Sequence, residues 1–435
     1  MAKKEIYNIE MPQETSDRRR SSGSRGGSRR DHEEEVRGKG KKGKKMTRSQ
    51  KRRKRRKTIL IIEVIVLLLL LAGLFLWLKV GLINWDDLKN LKTNNLDEET
   101  QDLLDDYTTI ALFGVDNRAT GNYDSGNSDS IMICSINNNT KEVKLVSVYR
   151  DTCLDVDGDE TFRKCNYAYN HGGPQEAIEM LNRNLDLNIQ KYVSVDFYAL
   201  AEAVDALGGI ELDITDEEAS YMNGVGGYIA MTAEITGRKG GNVSVGHQTV
   251  NGVQAVAYCR IRYTAGGDFG RAERQRTVLE QMVAKLDGAS LSELNNLVDA
   301  VFDDIGTNFT MKQIISMATS MKDYQLAGTA GFPFAKRTGN FGSQGSLVVP
   351  CTLESNVKYL HAYLFGNEDA QLSDELVKIS DDIVNFTGYT QDDSKSIEKI
   401  RGNCPRIFAF LKNADWMGAC VQLGLNQGGG RGGCI

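Results

Sequence analysis

The sequence predicts an α/β (α+β) fold, a mixed central sheet sandwiched by helices, preceded by one transmembrane helix. Three observations lead there. Short apolar runs rich in β-branched residues fill positions 109–149, helical and strand-like patterns alternate from residue 173 onward, and residues 58–78 are apolar almost throughout.

The amino end is read from charge and hydropathy. Residues 1–57 carry 22 Lys+Arg against 8 Asp+Glu, net +14, and residues 58–435 carry 31 against 50, net −19, which together give the chain its −5. A segment so rich in Arg, Lys, Ser and Gly cannot bury enough apolar surface to order itself, so residues 1–57 are expected to be a disordered tail. TILIIEVIVLLLLLAGLFLWL (58–78) reaches the ~20 residues a helix needs to cross a bilayer, with Glu63 as an ionisable group within it. A cleaved leader has a shorter apolar region, roughly 7 to 15 residues, and a small-residue cleavage site, neither of which is evident. The block Lys51–Lys57 abuts the span and stays cytoplasmic, which leaves the acidic bulk outside the cell membrane. Beside a span, topology and attraction to anionic lipid account for that basic block more simply than nucleic-acid binding. All eight cysteines follow the span, where disulfides are chemically allowed; none forms a CxxC pair. Cys134 and Cys259 read as buried thiols, and Cys404 and Cys420 as a candidate bridge.

Residues 79–106 read as a polar, helical stalk. TIALFGV (109–115), DSIMICSI (129–136) and EVKLVSVY (142–149) read as three strands, with turn residues NNNT (137–140) between the last two. If they run up, down and up, Asp116, Asp129 and Arg150 meet at one sheet edge. GPQEAIEMLNRNLD (173–186) has Pro174 where a helix can begin, YVSVDF is a strand, ALAEAVDALGG (199–209) is a helix closed by glycines, and IELDI is a strand. NGVQAVAY and GRAERQRTVLEQMVAKL (270–286) read as helices, residues 290–325 as helical, and SLVVP (346–350) as a late strand.

The chemistry is concentrated in YCRIRYTAGGDFGRAERQR (258–276), five arginines in nineteen positions. On an extended backbone Arg260 and Arg262 share a face; on a helix Arg271 and Gln275 do, with Arg274 beside them. The glycines of AGGD allow close backbone approach to a ligand. Guanidinium groups bind phosphate bidentately and helix amino ends favour anions, so an anion site is one reading. The other is that these arginines pair with surface carboxylates such as Asp268 and Glu273. Asp116 and Asp129 fit a hard divalent ion shared with phosphates, or Ser128-Asp129 is simply a cap or turn. His171, His247 and His361 are dispersed with no metal or triad spacing, and no Walker loop is present, which disfavours nucleotide hydrolysis.

A basic tail, one apolar span, then FGVDNR (113–118), SDSIMI (128–133), VSVYRDT (146–152), KCNYAYNHGG (164–173), VDFYALAEAVDALGGIELDI (195–214), GHQTVNGVQAVAYCRIR (246–262) and GDFGRAERQR (267–276) follow one another in order. Over about residues 107–366 this resembles the LytR-CpsA-Psr family of bacterial envelope proteins. The resemblance implies a phosphotransferase that moves a glycopolymer from a polyprenyl-pyrophosphate carrier to peptidoglycan through a phosphodiester, with an apolar groove for the lipid. It implies Asp116 and Asp129 as magnesium-associated carboxylates, and Arg150, Arg260, Arg262, Arg271 and Gln275 as the pyrophosphate set, with Arg118 and Lys164 as further members. Arg150, Arg262 and Asp268 are the candidate catalytic residues, Asp268 as base toward the acceptor hydroxyl. Two departures stand out: Tyr149-Arg150-Asp151 where the family usually has Pro-Arg-Asp, and residues 367–435, an extension with no assigned role. A non-catalytic lipid-pyrophosphate scaffold and a pyrophosphatase are the alternatives. A transcriptional regulator is disfavoured, because a disordered basic tail reads no base sequence.

Overall fold

Side chains along a strand point alternately to opposite faces, so a strand buried on both sides feeds two cores. In the computed structural model, which describes residues 84–85, 88, 90–116, 123, 126–289, 297, 305–397 and 401–402, the central strands do this. All of these residues belong to the unit Leu70–Ile435. The tail 1–57, the apolar segment 58–78, Arg118, Cys404, Cys420 and Cys434 lie outside the described residues, among which no helix is long and apolar enough to cross a membrane.

The described chain opens with β1 (Asn84–Trp85), α1 (Glu98–Asp105), β2 (Tyr107–Val115), β3 (Ser128–Asn137) and β4 (Glu142–Val148). A short hairpin, β5 (Cys153–Asp155) and β6 (Phe162–Lys164), leads to α2 (Tyr167–Leu185), β7 (Lys191–Val195), α3 (Phe197–Ala206), β8 (Ile210–Ile214), α4 (Asp216–Met222), α5 (Tyr228–Thr236), β9 (Gly246–Val250), α6 (Gly252–Arg260) and α7 (Gly267–Asp287). After β10 (Ile305–Thr307) and α8 (Met311–Thr319) come β11 (Gln325–Phe332), β12 (Ala335–Asn340), β13 (Ser346–Pro350), α9 (Leu353–Phe365), α10 (Asp374–Thr387), β14 (Ser396–Ile397) and β15 (Arg401–Gly402). Where the sequence reads as helical over 290–325, the described residues hold a strand, β10, as well as α8.

The main sheet has the order β1-β10-β7-β2-β3-β4-β11-β15, parallel at β2/β7 and β4/β11 and antiparallel through β2/β3/β4. Helices flank this mixed sheet, as the sequence predicts. One face carries Ala111, Phe113, Ile131, Ile133, Val146 and Val148, packed with Ile178, Leu181 and Leu185 of α2 and Val357, Leu360 and Leu364 of α9. The other carries Ile110, Cys134, Ile136 and Leu145, with Leu279 of α7 and Ile314 of α8 against them. A third cluster joins β8, α4, β9 and α6 through Ile210, Leu212, Met222, Val250 and Val256's neighbours Ala255 and Ala257, and touches α7 at Val278.

Pro174 begins a helix as predicted, since Gly172 (φ −136°, ψ 23°) and Gly173 (φ 64°, ψ −156°) break α2 just before it. The stretch read as a stalk is part of the domain: β1 pairs with β10, and Leu96 and Leu104 are buried in the first core. So is α10, beyond the reach of the family resemblance, through Leu376, Ile379 and Ile383. Asp186 ties it down, accepting from Ser373 N at 2.7 Å and Ser373 Oγ at 2.7 Å. Cys134 and Cys259 are buried free thiols, each pushed up to about 12 by burial. His361 is buried with Nε2 2.9 Å from the Leu185 carbonyl, a structural contact.

Leu376 is fully buried. Leu376→Ala should therefore lower the unfolding free energy by about 3 kcal/mol, read from the midpoint of a denaturant titration. No shift would mean that α10 is not part of this core.

Candidate active site

The strand directions fix where charge collects. β2, β4, β7 and β11 run one way and β3 the other, so Asp116, Asp129, Arg150 and Asp196 all arrive at one sheet edge. Asp129 owes its aim to an irregularity. Val115 pairs with Ser128 and Gly114 with Ser130, which leaves Asp129 without a partner in the ladder. A bulge of this kind bends the strand and redirects the extra side chain. Regular alternation would give Asp129 the face of Ile131 and Ile133; instead its carboxylate meets α7. Gly114 makes the close pairing possible, since a Cβ there would lie 2.9 Å from Ser130 Cβ.

Three guanidinium groups converge on that carboxylate. Arg150 Nη1 donates to Asp129 Oδ1 at 2.9 Å, while Arg262 Nη2 at 2.7 Å and Arg271 Nη1 at 3.2 Å donate to Oδ2. Arg271 Nη2 also donates to the Asp129 backbone carbonyl at 3.1 Å. Each arginine arrives on a different element. Arg150 follows β4, where its carbonyl accepts from Asn166 N at 3.1 Å. Arg262 follows α6, and Arg271 lies in the first turns of α7, which opens through Gly267 in the left-handed region (φ +52°). Asp268 lies 3.6 Å from both Arg150 Nη2 and Arg271 Nη2. Its Oδ1 is shielded from solvent and accepts no hydrogen bond among the described residues.

Burial alone would raise the Asp129 pKa, but the charges of Arg271, Arg150 and Arg262 outweigh it and hold the carboxyl below its usual value. Arg271, only 5% exposed, moves below the ordinary arginine value. Burial is the main cause, opposed by Asp129 and reinforced by Arg150 and Arg262. Arg150 moves the other way: burial would lower it, but Asp129, Asp268 and Asp151 hold it above the ordinary arginine value. Arg262, with 39% of its side chain exposed, is the most accessible of the three.

Two cavities meet here. The larger, about 590 Å³, runs along β7, β2 and β3 on the α7 side of the sheet and is walled by Leu112, Met132, Val193, Leu200, Val278 and Leu279, with Asp116, Arg260 and Arg262 among the polar groups lining it. The smaller, about 350 Å³, lies over β3 and β4 beside the start of α7. Asp129, Ser130, Arg271 and Gln275 line both.

Of the residues singled out from sequence, Arg150, Arg262, Arg271, Asp129, Asp268 and Gln275 come together. Arg260 reaches the larger cavity by a route other than the extended one expected: it closes α6, lies 4.8 Å over the Phe197 ring and donates to Thr232 Oγ1 at 2.9 Å. Lys164 pairs with Asp151 at 3.2 Å, one carboxylate removed from the cluster. Arg274 turns away, buried with Glu218 at 2.8 Å and Thr264 at 2.6 Å, so the carboxylate-pairing reading holds for it. Arg118 lies outside the described residues. Asp129 is neither cap nor turn. The aliphatic walls of the larger cavity, the buried hydroxyl of Ser147 and Phe269 were not singled out; the strand alternation carries the first of these, but nothing local distinguishes the others.

The two carboxylates that could hold a hard divalent ion are Asp116 and Asp129. Asp116 is exposed and lines the larger cavity with Asp129, whose Oδ1 carries one guanidinium contact and keeps acceptor capacity. No group of three or more His, Cys, Asp or Glu among the described residues is placed to hold a metal, so such an ion would need ligand oxygens as well.

The LytR_cpsA_psr family model matches residues 83–332, more than half of the chain. The chain belongs to this family. Relatives include the polyisoprenyl-teichoic acid–peptidoglycan teichoic acid transferase TagU of Enterococcus faecalis, 32% identical over 232 residues, 51% of this chain and 70% of that protein. TagV of Bacillus subtilis, named for the same activity, is 29% identical over 252 residues, 55% of this chain and 61% of that protein. The crystal structure of gbs0355 from Streptococcus agalactiae shares the family fold, with TM-score 0.51 and 23% identity over 64% of this chain and 92% of that one. So does the structure titled transcriptional regulator (EF0465) from Enterococcus faecalis, with TM-score 0.50 and 22% identity over 68% of this chain and 98% of that one.

Because the folded pKa of Asp129 is lowered, its stabilisation is complete above the ordinary carboxylate range and is lost as pH falls through the lowered value. Asp129→Asn should cost about 3 kcal/mol at pH 7, with the gap to the parent closing below pH ~4. Denaturant titrations at pH 7 and pH 3 check this; a gap of equal size at both would contradict it.

Proposed function

We propose that the chain is a membrane-anchored, extracytoplasmic phosphotransferase that moves a glycopolymer from a polyprenyl-pyrophosphate carrier to peptidoglycan, forming a phosphodiester. The observation that carries this reading is the seat of three guanidiniums at the junction of an apolar cavity and a smaller, more polar one. An apolar cavity ending in guanidinium groups matches an amphiphile with a prenyl tail and a diphosphate head. The relatives' names give teichoic acid as their cargo, and a teichoic acid or another anionic polysaccharide is the expected cargo here.

The acceptor hydroxyl oxygen attacks the glycan-bearing phosphorus, a new P–O bond forms, and the bond from that phosphorus to the bridging oxygen breaks. Polyprenyl phosphate leaves with the bridging oxygen, and the hydroxyl proton passes to Asp268. Arg150 and Arg262 hold the non-bridging oxygens as charge moves toward the leaving group, a task worth a few kcal/mol per donor in a preorganised site. Buried Arg271 keeps Asp129 and the other two guanidiniums in place, and Gln275 and Arg260 line the path between phosphate and lipid. A magnesium ion held by Asp116 and Asp129 would offset charge on the diphosphate. The transferred phosphorus is already activated, so no nucleotide is needed.

A pyrophosphatase would use the same seat with water as acceptor, and a lipid-pyrophosphate scaffold would bind without turnover. Purified full-length protein supplied with a lipid-linked glycan, a soluble peptidoglycan fragment and Mg²⁺ separates the three. Phosphodiester-linked glycan supports the transferase, while release of free glycan phosphate, or no turnover, overturns it. Arg262→Ala should lower kcat/KM by about 10²-fold or more with little change in Tm. Arg271→Ala should lower both. Asp116→Asn should raise the Mg²⁺ concentration for half-maximal rate by about tenfold.

A further inference from the structure

We infer that the smaller cavity is the acceptor subsite, built to hold one sugar unit of a glycan strand with a hydroxyl turned toward the arginine seat. The inference rests on the transferase reading and assigns it a second substrate site. In-line displacement at phosphorus puts the incoming and leaving oxygens on opposite sides. If the prenyl phosphate leaves toward the larger cavity, the attacking hydroxyl enters from the other side of the shared residues Asp129, Ser130, Arg271 and Gln275. On that side lies the smaller cavity, and Asp268 lines it while absent from the lining of the larger one.

Its walls suit a saccharide, a ligand rich in hydroxyls with one apolar face. Ser147 lines the cavity from β4, is 2% exposed, and its Oγ has no hydrogen-bond partner among the described residues. A buried hydroxyl in that state costs free energy unless a ligand satisfies it. Thr338 and Ser346 add hydroxyls at the exposed rim. Phe269 supplies the apolar surface and is held in place. Its ring packs edge-to-face on Tyr149 at 4.7 Å, and the buried Lys336 ammonium lies 5.1 Å from the Phe269 ring centre and 4.9 Å from that of Tyr149. Tyr149 stands where the family resemblance expects proline, so its share of this aromatic wall departs from that pattern. A volume of about 350 Å³ falls at the lower end of small-molecule sites and leaves room for a sugar unit.

The test uses the full-length protein in detergent, with farnesyl pyrophosphate as donor probe and N-acetylated chitotetraose as acceptor probe, both followed by titration. Ser147→Val fills the cavity and removes the hydroxyl; Phe269→Ala removes the ring. The expected result is that chitotetraose binds the parent, that each variant weakens it by about tenfold or more, and that farnesyl pyrophosphate affinity stays within about twofold of the parent in both variants. That unchanged affinity also reports that the variants are folded. Farnesyl pyrophosphate bound normally, with chitotetraose binding neither the parent nor any variant differently from it, overturns the acceptor subsite alone. Loss of both affinities in a variant also overturns it, because the residue then belongs to the common scaffold. Failure of farnesyl pyrophosphate to bind the parent sinks the transferase reading itself.

Discussion

Asp129 holds together three guanidinium groups that would otherwise repel one another. Arg150, Arg262 and Arg271 come from three separate elements, and their meeting depends on one carboxylate that a strand bulge turns toward α7. The carboxylate is not enough to neutralise them. Asp268 lies 3.6 Å from two of the three and Asp151 3.8 Å from Arg150, while burial is the main cause of the depressed Arg271 pKa. The partly exposed side chains of Arg150 and Arg262 are where an incoming anion would make contact.

The position of α7 gives the seat its use. The helix lies over the sheet with Arg271 and Gln275 in its early turns and Val278 and Leu279 farther along, so one surface passes from charged and polar side chains to aliphatic ones within two turns. On the opposite side of the same arginine lies a cavity of different character, with hydroxyls and an aromatic ring. On the reading proposed above, a donor with a long apolar tail and a polar acceptor approach one phosphorus without competing for space. The separation of the two cavities, more than any single side chain, is what suits the fold to transfer between two large and dissimilar molecules.

Much of this is legible in the sequence. The meeting of Asp116, Asp129 and Arg150 follows from three short strands and a turn, because an up-down-up meander brings those positions to one edge whatever the side-chain detail. Arg271 and Gln275 follow from helical spacing. What escapes is nonlocal. That Arg274 belongs to Glu218 and not to the anion site depends on α4, more than fifty residues away, and no spacing rule carries it. Arg260 reaches the larger cavity from a helix end, where the alternation of an extended chain would have given the right face for the wrong reason. The bulge at Asp129 is invisible as a pattern, since Gly114 and a run of serines read as ordinary strand ends. The membership of α10 in the core likewise rests on contacts far apart in sequence, among them Asp186 holding Ser373, the N-cap of a helix almost two hundred residues later.

The most direct measurement is a crystal structure of the protein with a short prenyl pyrophosphate, such as farnesyl pyrophosphate, bound. With the seat as described, the diphosphate lies among Arg150, Arg262 and Arg271, beside Asp129, and the prenyl chain runs along Leu112, Val193 and Leu279. A diphosphate bound away from those three arginines, or a prenyl chain outside the larger cavity, would contradict the account at its centre.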